Sequence, residues 1–162
     1  MSTVTYKDGI MACDTRATAK NIIVPGEITK IFEVDGGLVG ICGDAEYSMT
    51  EDPEFSSLAQ PSQLFEWLKK YERTDFSFEM LVVFSDFPQN IYYCNCEISK
   101  EGLSQTGFAV FQIQQGASFS IGSGGDYSDL AIRVSGCSAA EGILHAMTID
   151  AATGGDVYEY EL

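Results

Sequence analysis

Ser2 and Asp14 are residues of this 162-residue chain whose types and spacing suit them to chemistry. The opening run MSTVTYKDGIMACD alternates over Thr3 to Tyr6, turns at Lys7-Asp8-Gly9 and runs back over Ile10 to Cys13, the pattern of a tight hairpin. Folded about Asp8-Gly9, it brings Ser2 within one rung of Asp14, with side chains about 5 Å apart. Ser2 is small enough for ordinary removal of Met1, which would leave it both a hydroxyl and a free α-amine of pKa about 7.7–8.0. One residue then holds a nucleophile and a base near neutrality, which overcomes the weak acidity of an unassisted serine hydroxyl. Lys30, in GEITKIFEV, lies on the next strand, with Thr29 on the opposite face. A lone strand lysine reads by itself as an exposed edge residue.

The elements that must position these groups follow from periodicity and turn chemistry. A second strand pair runs Ile28 to Val34 and Leu38 to Cys42 around Asp35-Gly36-Gly37. The stretch Asp44 to Gln60 is acidic and polar, with room for one short helix. Pro61 opens a helix whose Leu64, Phe65, Leu68 and Tyr71 form one stripe predicted to be buried. Strands return at Glu79 to Phe84, Asn90 to Cys96, Phe108 to Ile113 and Ala117 to Ile121. Two helices follow IGSGGDY: the first is predicted to bury Tyr127, Leu130, Ala131 and Val134, and the second opens on the capping box Ser138-Ala-Ala-Glu141. Val157 to Tyr160 forms the last strand. Hairpin-linked strands with helices in separate blocks predict an α+β fold of two stacked antiparallel sheets with helices outside, in one domain spanning 1–162.

Bulk properties narrow the function classes. A hydrophobic fraction of 45% and an aromatic fraction of 12% belong to a folded protein. The longest apolar run, Met80 to Phe84, falls far short of the roughly 20 residues that cross a bilayer. A net charge of −15 repels phosphate backbones and anionic headgroups, so neither nucleic acid nor membrane is an expected partner. Five cysteines and no recognisable leader predict reduced thiols and a cytoplasmic location. Cys94 and Cys96 read as packed small hydrophobes, since no further Cys or His cluster completes a metal site.

Other motifs carry less. His145, the one histidine, falls mid-helix with no GxSxG elbow to serve, and reads as a surface or packed residue. The GSGGD run fits neither dinucleotide nor P-loop patterns and reads as a helix cap. The acidic 44–54 stretch reads as a solvated loop.

Taken in order, YKDGIMACDTRAT, TKIFEV, GLVGICGDA, IGSGGDY and IDAATGGDV resemble the successive motifs of proteasome β-type subunits and their bacterial HslV relatives. These are N-terminal nucleophile (Ntn) hydrolases with a four-layer αββα sandwich. The resemblance implies that Ser2 stands at the nucleophile, where the family usually has Thr. It implies that Asp14 and Lys30 are the acid and base-supporting lysine, and that Arg16 lies near them. Gly43 falls where a backbone N–H forms the oxyanion hole. Ser123, Asp150 and Thr153 fall where groups hold the terminus and its water. The implied activity is peptide-bond hydrolysis without metal or organic cofactor, on peptide or unfolded polypeptide, inside a homo-oligomer that an ATPase unfoldase could feed.

Three departures accompany the resemblance. Serine lacks the threonine methyl that restricts χ1. The first strand is shorter than the family's usual form, so the match of Ser2 depends on hairpin register. Asp44 to Thr74 is short for the family's paired helices, implying one shortened helix layer. Thr3 is an alternative nucleophile if both preceding residues are removed. Alternative functions are a catalytically silent shell or scaffold subunit and an amidase for small substrates.

Overall fold

The computed structural model describes residues 2–19, 22–43, 48–71, 76–98, 101 and 104–162. Strands β1 (Thr3–Lys7) and β2 (Ile10–Asp14) form the expected hairpin. Asp8 (φ 48°) and Gly9 (φ 87°) both take positive φ, as the two-residue turn that matches strand twist requires. The short strands β3 (Ala17–Ala19) and β4 (Ile22–Val24) pair with each other, followed by β5 (Ile31–Val34) and β6 (Gly37–Gly43). One-turn helices α1 (Ser48–Glu51) and α2 (Pro53–Ser56) precede α3 (Pro61–Leu68) and a 3-10 turn, Lys69–Tyr71. Then come β7 (Phe78–Phe84), β8 (Asn90–Ile98), β9 (Ser104–Gln112) and β10 (Ser118–Gly122). Helices α4 (Gly125–Ser135) and α5 (Ala139–Met147) and strand β11 (Val157–Glu161) complete the order.

The fold is α+β with antiparallel sheets. One sheet has the order β10-β1-β2-β11 and another β5-β6-β7-β8-β9, with β3-β4 forming a separate pair. Val4, Tyr6, Met11 and Ile121 of the four-stranded sheet share a core with Ile31, Leu38, Leu81, Val83 and Ile91 of the five-stranded one. The far face of the five-stranded sheet packs Val39, Met80 and Val82 against Met49, Phe55, Leu64 and Trp67. On the far face of the other sheet, Ala12 meets Ala139 and Ile143 of α5. Strand β1 is buried along both faces, which is why its outward-alternating residues, Thr3 and Thr5, are inside. Among the described residues no helix is long and apolar enough to cross a membrane.

The two sheets meet closely at Gly40, where a Cβ would lie 2.6 Å from Val4 Cγ1 and 3.1 Å from Met11 Sδ. Gly40→Ala is therefore expected to destabilise the protein by about 1–3 kcal/mol through overpacking. The check is a urea midpoint that falls while the slope of the transition stays constant.

Several elements differ from the sequence reading. Helix α4 turns Tyr127, Leu130 and Val134 outward (41%, 58% and 79% exposed) and buries Gly125, Ser128 and Ile132 instead. The cause is the polar surface beneath it: Ser128 Oγ bonds Thr5 Oγ1 at 2.8 Å, and Asp129 accepts from Ser118 and Ser120. Helix α3 buries Trp67 with Leu64 and Leu68, whereas Phe65 lies outside that core and meets the Phe108 ring of β9 at a tilt of 51°; the Tyr71 side chain lies outside the described residues. The acidic stretch holds two one-turn helices rather than one; its residues 44–47 lie outside the described residues. Ile28 to Lys30 is irregular rather than strand: Ile28 N–H bonds Thr15 O, and the chain joins the sheet at Lys30, whose O accepts the Ile41 N–H. His145 lies in the last turn of α5.

Candidate active site

Asp14 ends β2 and is fully buried, which a carboxylate tolerates only with its oxygens satisfied. Its Oδ1 accepts from Lys30 Nζ at 2.5 Å and from the Thr3 N–H at 2.8 Å, and its Oδ2 from the Gly154 N–H at 2.9 Å. Lys30 is buried as well, at 4% exposure, so it is not the edge residue that its strand context suggests. Its ammonium also donates to Arg16 O at 2.8 Å. Two of its three protons are thus engaged among the described residues. Arg16 fastens the same corner: its guanidinium donates to Ala151 O at 2.8 Å and lies over Gly154, where a Cβ would come 2.2 Å from Cζ.

Ser123, at the turn into α4, and Thr153, beyond α5, both donate to Asp150 Oδ2 at 2.6 Å. Burial alone would raise the Asp150 carboxyl, but the Ser123 and Thr153 hydroxyls and the Ala152 N–H outweigh it and hold it below the ordinary carboxylate range. A depressed folded pKa stabilises the fold above the unfolded value near 3.9, and that stabilisation is lost as pH falls through the folded value. Asp150→Asn is expected to lower the urea midpoint at pH 7, and the gap from wild type is expected to narrow toward pH 3. Parallel pH profiles for the two proteins would reject this role for the carboxylate.

Thr3 joins the two clusters. Its N–H reaches Asp14, its Oγ1 lies 2.7 Å from Thr153 Oγ1, and it accepts the Gly124 N–H at 3.1 Å. Thr153 gives its own proton to Asp150, so Thr3 must be the donor in the shared hydroxyl pair. With its proton committed, a lone pair occupied and no exposed surface, Thr3 is a brace and a poor nucleophile. From sequence it stands only as an alternative nucleophile; no local signal marks a contact 150 residues apart. Gly154 is likewise missed by sequence reasoning, legible only as the small residue after Thr153.

Ser2 precedes Thr3 and is nearly buried, at 9% exposure. The hairpin register sets Val4 opposite Cys13, which puts Thr3 across from Asp14 and Ser2 one rung further along. Met1 lies outside the described residues. Gly122, paired with Thr3, presses on Ser2: a Cβ there would lie 1.8 Å from Ser2 O. Gly43 ends β6 at φ 108°, a conformation that L side chains rarely adopt. Gly43, Gly122 and Cys42 line one cavity of about 180 Å³, with Glu79 and Asn95. Glu79 receives the Gly122 N–H at 2.7 Å and the Tyr93 hydroxyl at 2.9 Å. Burial first, then the Glu79 bond and charge, push that phenol well above its ordinary pKa, so it stays a neutral donor. Burial likewise raises the nearby thiols, Cys42 well up and Cys13 to about 11, and keeps them protonated and unreactive.

The structure therefore brings Asp14, Lys30 and Arg16 into one group and Ser123, Asp150 and Thr153 into a second, with Thr3 between them and Ser2 alongside. Gly43 stands across the adjoining cavity. No family model matches the chain, and no curated protein matches it.

Proposed function

We propose that the chain is an N-terminal serine hydrolase of the proteasome β and HslV kind, a peptidase whose nucleophile is Ser2 after removal of Met1. The observation that carries this reading is the buried Lys30–Asp14 pair, whose carboxylate also holds the backbone N–H next to Ser2. An ion pair taken out of water at this spot costs desolvation that apolar side chains would avoid. It repays that cost if the positive charge lowers the energy of a nearby alkoxide. The face-to-face sheets, with helices packed on their outer faces, support the four-layer αββα arrangement of such hydrolases. The short α1 and α2 support a shortened helix layer.

In this mechanism Ser2 Oγ attacks the peptide carbonyl carbon and its proton passes to the neutral Ser2 α-amine, directly or through water. Lys30 supplies positive potential and a remaining N–H, and the Gly43 N–H meets the oxyanion. Collapse breaks the C–N bond, and the ammonium returns the proton to the leaving amine. Water then attacks the ester, giving a proton to the same amine, and the acid leaves with Ser2 Oγ restored. Asp150, Ser123, Thr153 and Thr3 hold the terminus against strand slippage. With Met1 in place the Ser2 nitrogen is an amide and the base is absent.

The homo-oligomer is proposed on the outward stripe of α4, where Tyr127, Leu130 and Val134 would lose water against another copy. An ATPase unfoldase is proposed as its supplier of unfolded chain. The test of the activity is intact mass followed by β-lactone labelling. The expected result is a mass without Met1 and an adduct that maps to Ser2. Absence of any adduct on a Met1-free protein overturns the reading in favour of a silent subunit.

A further inference from the structure

We propose that the cavity between Gly43 and Gly122 receives a basic side chain, lysine or arginine, of the bound peptide. This rests on the hydrolase reading above and adds the substrate class. The cavity adjoins the nucleophile, since Gly122 on its wall is the residue pressed against Ser2 O. Its other wall carries Gly43, whose N–H the mechanism assigns to the oxyanion, so a side chain entering here belongs to a residue beside the scissile bond. At about 180 Å³ it is a slot for one long side chain rather than a groove for several.

The lining selects the charge. Cys42, which pairs with Glu79 and shares its face of the sheet, gives with Gly43 and Gly122 an uncharged stretch suited to a methylene stem. Glu79 and Glu97 also line the space, with Asn95 between them along the sheet, and among the described lining residues none is basic. Glu97 is exposed at the rim, while Glu79 is half-buried and accepts from the Gly122 N–H and the Tyr93 hydroxyl. An acidic side chain would meet two carboxylates, and an aliphatic one would cover them without a counter-charge. The net charge of −15 favours the approach of cationic peptides from a distance.

The experiment uses the Met1-free protein and three fluorogenic peptides that differ only in the residue on the acyl side of the scissile bond: Arg, Leu or Glu. The Arg peptide is expected to exceed the Leu peptide about tenfold in kcat/KM, with the Glu peptide slowest and the Arg advantage shrinking in high salt. Glu97→Gln should lower the Arg-to-Leu ratio about fivefold, and Glu97→Lys should lower it further. A ratio that ignores Glu97→Lys, or a preference for Leu or Glu, overturns the proposal while leaving the hydrolase reading intact. Binding is measured separately, by NMR titration of Ser2→Ala with the Arg and Leu peptides. Shifts of the Gly43, Gly122 and Glu97 amides with the Arg peptide alone support the cavity assignment, even where hydrolysis and Ser2 labelling both fail. No shift at those amides overturns it.

Discussion

Ser2→Ala is expected to reduce peptide hydrolysis by about 10⁴-fold or more while the fold is kept, because a single oxygen atom carries both attack and acyl transfer. The change removes only that atom from a nearly buried site, so thermal stability should move little. Two further readouts separate loss of the nucleophile from loss of shape. The variant should refuse the β-lactone adduct that wild type accepts. It should also keep the far-ultraviolet spectrum and the urea midpoint of the parent. In wild type, kcat/KM is expected to rise with pH through about 7.7–8.0, as the Ser2 ammonium gives up its proton to become a base. A protein that retains Met1 should show neither the activity nor that pH dependence. Hydrolysis that persists in Ser2→Ala, at the wild-type rate and from a purified chain, would sink the assignment outright. Thr3 is not expected to take over, because its hydroxyl is tied to Thr153 and the Gly124 N–H.

Lys30→Met is the second large effect, and it is expected to act on both rate and stability. Removing the ammonium leaves the Asp14 carboxylate buried with, among the described residues, the Thr3 and Gly154 N–H groups alone. Breaking a buried pair from one side costs about 3–5 kcal/mol. The two surviving N–H bonds place this case near the lower end, a melting-temperature drop of roughly 6–12 °C for a chain of this size. Activity should fall by about 10³-fold, the scale of losing one preorganised electrostatic group. The double variant Asp14→Asn with Lys30→Met distinguishes the two roles. It removes both charges, so part of the lost stability should return, as measured by a double-mutant cycle of urea midpoints. Activity should not return with it. If the double variant recovered both, Lys30 would be a structural residue whose loss merely loosened the site. Recovery of neither would mean that the cavity left by the two side chains, not the charge, dominates.

Much of the local architecture is legible in the order of the residues. The Asp8-Gly9 turn, the strand pair around Gly36 and the Ser138–Glu141 capping box all lie where turn and cap chemistry puts them. Such signals are local: they report which backbone dihedrals a few adjacent residues prefer. The short β3–β4 pair escapes such reading because three-residue strands carry too little alternation to register. The apolar stripe of α4 has the expected period but faces the other way. Periodicity identifies a face, but the surface beneath decides whether that face is covered, and here it is hydroxyl-rich.

The candidate site divides along the same line. Sequence is enough to place Ser2 within one rung of Asp14 at the open end of the hairpin, because two residues of turn geometry set the register of every later rung. Motif order singles out Lys30, Gly43, Ser123, Asp150 and Thr153. Tertiary structure is needed to bury Lys30, to close Gly154 on Asp14 from 140 residues away, and to brace Thr153 with Thr3. It alone sets Glu79, Asn95 and Glu97 at the border of the cavity beside Gly43 and Gly122. The physical reason is that burial and charge pairing belong to surfaces brought together from distant segments. A carboxylate has no fixed environment until the chain has closed around it.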